Sequence, residues 1–480
     1  MPQDRYDVVV IGSGPGGYVA AARAAQLGLA VAVVEKDPFY GGTCLWRGCI
    51  PTKALLENAA VYEQARHARE FGIRTGEISL DFPAVMQRKT KVVRKLGKGV
   101  ESLLTRSKVA LHTGHGRMSG PGKVAVTRPD GSVLTLQARH VLLATGSAPR
   151  LLPGLAEDGR RVVTSDGILE IKEIPRRMVV LGAGAVGVEF ASIFHRFGSE
   201  VAILEMLPRA VPLEDEEVSR ELEKVFRKQG IALHTGVKAG GIKASGETVK
   251  VEYAPAEGAA AVAHNPGRGA AGGTLEADLL LVAVGRRPLT DDLGLDTVPR
   301  VQLDRGFVKV DGMMRTGEPG VYAIGDIVAT PLLAHVASAE GILAVEHMAG
   351  REVRPINYDH VPNATYCEPE IASVGLTEAK AREKGYEVKV GRFPFTHSSK
   401  APILGATDGF VKIVSEARHG ELLGMHVIGP RATEMIAEAG IALRTEATVE
   451  ELHRTIHAHP TLSEAVPEAA RAVFEHAIHH

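Results

Sequence analysis

The chain has 480 residues, 45% hydrophobic and 24% charged, with a formal net charge of −1. That length exceeds a single core and predicts about three domains, and the near-balance of charge excludes both the global basic field of a nucleic-acid binder and the acidic excess of a disordered chain. Three cysteines exclude a disulfide scaffold and fit a reducing, cytoplasmic setting, and no stretch approaches the ~20 apolar residues of a membrane span.

The N-terminal MPQDRYDVVVIGSG runs directly into a predicted strand and carries no cleavable signal pattern. Residues 7–35 read as an apolar β-branched run, a glycine-rich turn, a helical stretch and a second apolar run ending in Glu, and residues 178–205 repeat that order. Gly12, Gly14, Gly17, Gly28 and Glu35 correspond to Gly182, Gly184, Gly187, Gly198 and Glu205 at a constant offset of 170. A G-x-G-x-x-G set between a strand and a helix, with an acidic residue closing the next strand, is the dinucleotide fingerprint. The first glycine permits the tight turn, the second lets backbone approach a pyrophosphate, and the third lets helix pack on strand. The helix N-terminus then faces the phosphates. Two ordinary glycine-rich turns are the alternative, against which two full copies at one spacing argue. The chain is therefore expected to bind two dinucleotides, with Glu35 and Glu205 accepting from ribose hydroxyls. Glu205 would repel a 2′-phosphate, and no Arg lies within 205–208, although Arg209 is close, so the second nucleotide is expected to be NAD rather than NADP.

After the first repeat comes GGTCLWRGCIPTK, residues 41–53, with Cys44 and Cys49 five positions apart. Zinc normally takes four ligands from tighter pairs, and the only other cysteine is Cys367, so no metal is expected. A staple across so small a loop would constrain the unfolded chain little. A working redox pair fits better. In a regular helix, residues five apart rise ~7.5 Å, beyond the ~7 Å reach of a disulfide, so the segment must be distorted. Gly41, Gly42 and Gly48 permit distortion, and Pro51 tolerates only a first-turn position. A cysteine near a helix N-terminus is expected to have a lowered pKa, giving an exchangeable disulfide.

Further along, residues 138–150 and 275–288 read as strands ending in turns, and 320–327 (GVYAIGDI) as a strand ending on Asp326. The Ala/Gly-rich stretch 254–274 reads as a long hairpin loop or disordered insertion. Beyond about residue 350, strands such as 410–414 and 422–429 precede a helical end, which suggests an α+β domain.

These segments resemble the flavin-dependent pyridine nucleotide–disulfide oxidoreductases, and the likeness spans essentially the whole chain. GGTCLWRGCIPTK is similar to that family's redox-active motif, and ATG (144–146), AIGD (323–326), PLLAHVASAEG (331–341), PEIASVGLTE (369–378) and HAHPTLSE (457–464) match as well. The resemblance implies an α/β chain with two Rossmann-like dinucleotide-binding domains and a C-terminal α+β dimerisation domain. The expected boundaries are 1–150 for FAD, 151–285 for NAD, 286–350 completing the FAD site, and 351–480 for the interface. FAD would be held by Gly12, Gly14, Gly17, Glu35, Gly116 and Asp326. Lys53 would lie at the flavin ring paired with Glu189, and Ala334 would touch the ring. NAD would lie on Gly182, Gly184, Gly187, Glu205, Val237 and Gly285. Cys49 would stand next to the flavin and Cys44 would exchange with substrate. His459 would be the acid–base, oriented by Glu464 and contributed by the other subunit of an obligate homodimer.

Within the family, the branch implied oxidises protein-bound dihydrolipoamide to lipoamide and reduces NAD⁺, serving the lipoyl domains of 2-oxo-acid dehydrogenase or glycine cleavage complexes. A glutathione reductase would want basic residues near Glu205, a mercuric or large thioredoxin reductase would carry C-terminal cysteines, and a soluble transhydrogenase would lack Cys49. The alternatives kept are an NAD(P)H-dependent reductase of another disulfide and a redox-sensing flavoprotein. One departure stands out: the family usually has Asn-Val where this chain has Trp46-Arg47; Trp46 is expected to pack under the cysteine helix, the alternative being that it reshapes the disulfide channel or the potential and with it the substrate.

Overall fold

A computed structural model describes residues 4–256 and 272–479. The chain divides into two compact units, each assembled from separated stretches. The first is Met1–Ala54, Pro83–Arg150 and Arg286–Tyr358; the second is Leu55–Phe82, Leu151–Gly285 and Asp359–His480.

In the first unit the sheet runs Ala110–Thr113, Val31–Glu35, Arg5–Ile11, Val133–Leu143, Lys123–Thr127, His115–Met118, and Val321–Ala323 also pairs with Val133–Leu143. All these pairings are parallel except the two made by Lys123–Thr127. Parallel strands are covered on both faces, which is why the first strand reads as a continuous apolar run. Val8 and Val10 pack with Ala20, Ala21 and Ala24 of the helix Pro15–Gln26, while Val9 and Ile11 pack with Val124, Val126 and Leu136 on the opposite face. That helix opens on Pro15, whose missing N–H costs nothing there. It lies against Ala334–Met348 at a distance only glycine allows: a Cβ on Gly341 would stand 2.7 Å from the Gly16 carbonyl oxygen. The contact brings the start of the second helix to the glycine loop.

The second unit holds a five-stranded parallel sheet in the order Ala232–His234, Glu200–Leu204, Arg177–Leu181, Leu279–Val282, Val162–Thr164. A three-stranded antiparallel meander follows, Val237–Ser245, Thr248–Pro255 and Gly273–Ala277. The expected insertion 254–274 falls between its last two strands, and its residues 257–271 lie outside the described residues. The stretch 275–288 is more broken than expected: one strand ends at Ala277 in the meander, another runs Leu279–Val282 in the parallel sheet, and a third runs Arg286–Pro288. The C-terminal part is a five-stranded antiparallel sheet in the order Asn363–Thr365, Glu370–Gly375, Leu422–Gly429, Phe410–Glu416, Val388–Pro394. Helices Ala432–Arg444 and Ala465–Val473 cover it, burying Met435, Ile436, Val466 and Val473 with Val411, Ile413, Met425 and Val427. The α/β class with an α+β C-terminal part is the one expected from the sequence.

Candidate redox and dinucleotide sites

The first glycine loop is shaped by contacts that forbid side chains at two positions and leave the third open. Gly12 has φ 102°, and a Cβ there would lie 2.4 Å from the Ala144 carbonyl oxygen; one on Gly17 would lie 2.0 Å from the Gly12 carbonyl oxygen. Gly14 faces nothing within 4 Å. It caps the helix Pro15–Gln26 with no side-chain hydrogen bond. Glu35 is buried; its Oε2 accepts from Ser13 N at 2.9 Å and Ser13 Oγ at 2.5 Å, and its Oε1 from Asp37 N at 3.0 Å. Gly116 lets the antiparallel strand cross the ends of the central strands, because a Cβ there would meet Val34 Cγ1 at 2.9 Å. An open cradle at a helix N-terminus beside a buried carboxylate fits the pyrophosphate and ribose of a dinucleotide.

The second loop, in the other unit, has the same build. A Cβ on Gly182 would lie 2.5 Å from the Ala283 carbonyl oxygen and one on Gly187 1.9 Å from the Gly182 carbonyl oxygen, while Gly184 and Gly285 face nothing within 4 Å. Glu205 Oε2 accepts from Ala183 N at 2.6 Å and Oε1 from Leu207 N at 2.8 Å. The buried Val237 donates its N–H to the Glu205 carbonyl at 3.0 Å. Arg209 is turned to Glu216, at 3.1 Å, and to the carbonyl of Pro212, at 3.0 Å. Glu189, on the helix Ala185–Arg196, is buried and accepts from Tyr366 N at 2.9 Å.

The cysteines sit where two helices meet. Gly42–Arg47 is one short helix, Gly48 breaks it at φ −143° and ψ −111°, and Cys49 opens the next helix, Cys49–Arg66. Pro51 falls in the first turn of that second helix, and Lys53 stands one turn beyond Cys49. The entry is made by Gly41 (φ 115°) and Gly42 (φ 60°), where a Cβ on Gly42 would lie 2.5 Å from Gly14 Cα. The cysteine segment therefore starts directly on the first glycine loop. Cys44 and Cys49 are unbridged and in hydrogen-bond contact. That bond and burial push the Cys44 thiol well above its ordinary value, with the Lys53 charge working the other way. The expectation of a lowered pKa for a cysteine near a helix start does not hold for Cys44, where the contact with Cys49 and burial dominate.

Asp326 is not at a strand end. The strand stops at Ala323, and Gly325, at φ 69°, turns the chain so that Asp326 lies on the 3₁₀ turn Gly325–Ile327. Its carboxylate accepts from Ser147 Oγ and has Arg286 Nε at 3.8 Å. Arg286 also donates to Ser147 Oγ at 2.6 Å and to the Ser147 carbonyl at 2.8 Å. Ala334 is the first residue of the helix Ala334–Met348. Within that helix Glu340 is fully buried, accepting from Gly325 N at 2.7 Å and Tyr358 Oη at 2.9 Å. Burial raises its pKa against those hydrogen bonds. Sequence reasoning missed Ser13, Ser147, Arg286 and Glu340; only Glu340 left a signal, as a carboxylate within the mostly apolar stretch 331–345.

In the second unit His459 Nδ1 lies 2.9 Å from Glu464 Oε1, and Glu464 Oε2 accepts from Thr461 N at 2.8 Å. Partial burial opposes it, but the Thr461 and His459 hydrogen bonds hold Glu464 below the ordinary carboxylate range. The His459 side chain is 68% exposed, whereas His457 is 9% exposed and paired with Glu438 at 2.8 Å. Of the two histidines, only His459 is available to a reactant. Among the described residues, no group of three His, Cys, Asp or Glu could hold a metal ion, and no helix is long and apolar enough to cross a membrane.

Residues 6–341 match the pyridine nucleotide-disulphide oxidoreductase family, and residues 361–470 match that family's dimerisation domain. The chain belongs to this family. It is 45% identical to a dihydrolipoyl dehydrogenase of Bacillus subtilis, with 99% of each chain covered. It is 46% identical to one of Chlorobaculum tepidum, covering 97% of this chain and 96% of the relative. It is also 40% identical to a leghemoglobin reductase of Glycine max, covering 98% and 88%. Among solved structures, LpdA of Mycobacterium tuberculosis superposes with a TM-score of 0.87 at 29% identity, covering 98% and 99% of the two chains. As a member of the family the chain is a flavoprotein oxidoreductase whose cofactors are FAD and NAD. Its dimerisation domain supports a homodimer.

Proposed function

We propose that the chain oxidises protein-bound dihydrolipoamide to lipoamide and passes the two electrons to NAD⁺, the activity of a dihydrolipoyl dehydrogenase. The observation that carries this is the Cys44–Cys49 pair, held in contact across a helix break that is built on the first glycine loop. Gly12, Gly14, Gly17, Glu35, Lys53, Gly116, Asp326 and Ala334 would hold FAD, and Gly182, Gly184, Gly187, Glu189, Glu205, Val237 and Gly285 would hold NAD. FAD, when bound, supplies two-electron transfer between a dithiol and a nicotinamide.

The residues divide the remaining work. Glu464 fixes Nδ1 of His459, which leaves Nε2 to take a proton from a substrate thiol. The resulting thiolate attacks Cys44 Sγ of the oxidised pair; the S–S bond breaks and Cys49 leaves as a thiolate. The second substrate thiol then displaces Cys44, its proton passing to the leaving Cys44 sulfur, and the lipoamide disulfide closes. Two electrons and two protons thus reach the protein, and the Lys53 charge works in favour of the Cys44 thiolate against burial and the contact with Cys49. His459 and Glu464 act on the cysteines of the partner subunit. Ile456, 97% exposed, and Ile441, 69% exposed, offer apolar surface near the His457–Glu438 pair that a second copy would cover. We assign residues 1–150, 286–350 and 151–285 to the FAD, central and NAD domains, 351–480 to the interface, lipoyl domains as the macromolecular substrate, and the cytoplasm as the location.

The test is Cys44→Ser. The variant should retain yellow, FAD-loaded protein and lose dihydrolipoamide oxidation. Undiminished turnover would sink the exchange role of Cys44.

A further inference from the structure

The segment that carries Cys44 is weakly held by its own backbone. It is six residues long, enters through two glycines at positive φ, has no side-chain N-cap, and leaves through Gly48. Of the three side chains between the cysteines, Leu45 is buried against Gly41 at the segment's own entry, and Trp46 and Arg47 tie the segment to the elements around it. Trp46 stacks on Phe39 with ring centroids 3.8 Å apart and planes 28° from parallel, and its Nε1 donates to the Tyr40 carbonyl at 2.8 Å. Its outer edge lies on the helix Phe82–Arg106 at Gly97, where a Cβ would stand 2.5 Å from Trp46 Cζ2. Arg47 reaches back to Asp37 Oδ2 at 2.7 Å and lies 5.9 Å from the Phe39 ring centre. Asp37 in turn donates its N–H to Glu35 Oε1 at 3.0 Å. A continuous chain of contacts therefore joins the carboxylate of the first dinucleotide loop to the residues immediately before Gly48 and Cys49.

We propose that Trp46 and Arg47 are positioning residues: with Phe39, Asp37 and Gly97 they clamp the short cysteine helix so that Cys44 stays within bonding reach of Cys49 in both redox states. This rests on the reading of Cys44 and Cys49 as the working pair. The physical consequence concerns the equilibrium of the pair. In the exchange, two thiols of dithiothreitol become its cyclic disulfide while the Cys44–Cys49 bond breaks and takes up two electrons and two protons. A clamp that keeps the reduced thiols together raises their effective concentration and favours the disulfide. Loosening it lets the glycine-hinged helix swing, so the dithiol gains and the disulfide becomes more oxidising.

The experiment equilibrates FAD-loaded protein anaerobically in dithiothreitol redox buffers, traps the thiols, and reads the oxidised fraction by mass. Trp46→Ala and Arg47→Ala should each move the equilibrium towards dithiol about tenfold, or about 30 mV for a two-electron couple. Trp46→Phe, which keeps the stack, and Arg47→Lys, which keeps the charge, should restore most of it. Gly97→Ala displaces Trp46 from outside while favouring its own helix, so it tests the clamp even where Trp46→Ala fails to fold; it should shift the equilibrium the same way. Asp37→Asn should shift it as Arg47→Ala does, with no further shift in the double variant. Equilibria within twofold of the parent in Gly97→Ala and Arg47→Ala would overturn the clamp. A shift without dihydrolipoamide turnover in the parent would uphold the clamp and sink the lipoamide reading.

Discussion

The two glycine loops are the same structure used twice. Gly12 and Gly182 adopt φ 102° and 101°, Glu35 and Glu205 each take the N–H of the residue after that glycine, and the likeness continues past the repeat visible in the sequence. Gly41 N donates to the Ser13 carbonyl at 3.0 Å, and Val211 N, 170 positions later, to the Ala183 carbonyl at 2.8 Å. There the copies part. The first has glycine at the positive-φ position and proceeds into the cysteine helix. The second has Val211 at φ 40°, a conformation that costs a β-branched residue about 1–2 kcal/mol, and proceeds to Asp215, which caps the helix Glu216–Gln229. The frame sets where a nucleotide can lie; the dozen residues after it decide whether chemistry follows.

The second copy replaces thiols by a buried charge cluster. Lys412, 2% exposed at its side chain, meets Asp215 at 2.9 Å, Glu217 at 2.7 Å and Glu378 at 2.9 Å. It ties the nucleotide part of the second unit to its antiparallel sheet.

The comparison can be broken in graded ways. The largest effect is expected from His459→Gln, because general acid–base catalysis contributes about 10²–10⁴-fold; stopped-flow reduction by dihydrolipoamide should slow by that much, while reduction of the FAD by NADH should not change. Next is Lys412→Met. Leaving the buried Asp215 without its cation costs roughly 3–5 kcal/mol, which chemical denaturation should report as loss of the second unit's stability. The pH dependence has a definite sign. Burial opposes it, but His426 and Lys412 hold Asp215 below its ordinary 3.8, and Lys412 and Arg382 do the same for Glu378 from 4.5, again against burial. Those carboxylates contribute stability above their ordinary values that is lost as pH falls through the lowered ones. Lys412 is also desolvated, but its three carboxylates raise it above 10.5, so its contribution is complete below that value and lost as pH rises through the raised one. The gap between parent and variant should therefore be widest near neutrality and close in acid and in strong alkali.

A smaller and more selective effect should come from the open glycines. Gly14→Ala and Gly184→Ala meet no neighbour within 4 Å, so both proteins should fold. Gly14→Ala should weaken FAD retention, and Gly184→Ala should raise the KM for NAD⁺ with FAD retained. If both lost FAD equally, the two loops would not hold different nucleotides.

Much of this was legible in the chain, and the exceptions share a cause. The repeat and the cysteine frame are local: glycine spacing and apolar runs show them without reference to distant residues. Lys412 lies in FVKIV and reads as an ordinary outward lysine; it is buried because its three carboxylates arrive from positions 215, 217 and 378. By residue pattern alone His457 and His459 are alike, and only the family resemblance singles out His459; in the structure Glu438 takes the first and Glu464 the second. The raised Cys44 pKa follows from the contact with Cys49, which the helix-end argument does not contain.

The most direct measurement of the central claim is NADH formation from dihydrolipoamide and NAD⁺ by the purified FAD-loaded protein, with NADP⁺ and glutathione disulfide run in parallel. The account predicts strong turnover with dihydrolipoamide and NAD⁺ and little with NADP⁺ or glutathione disulfide. A flavin that NADH reduces but dihydrolipoamide does not would contradict it, leaving two nucleotide sites and a dithiol that serves another disulfide.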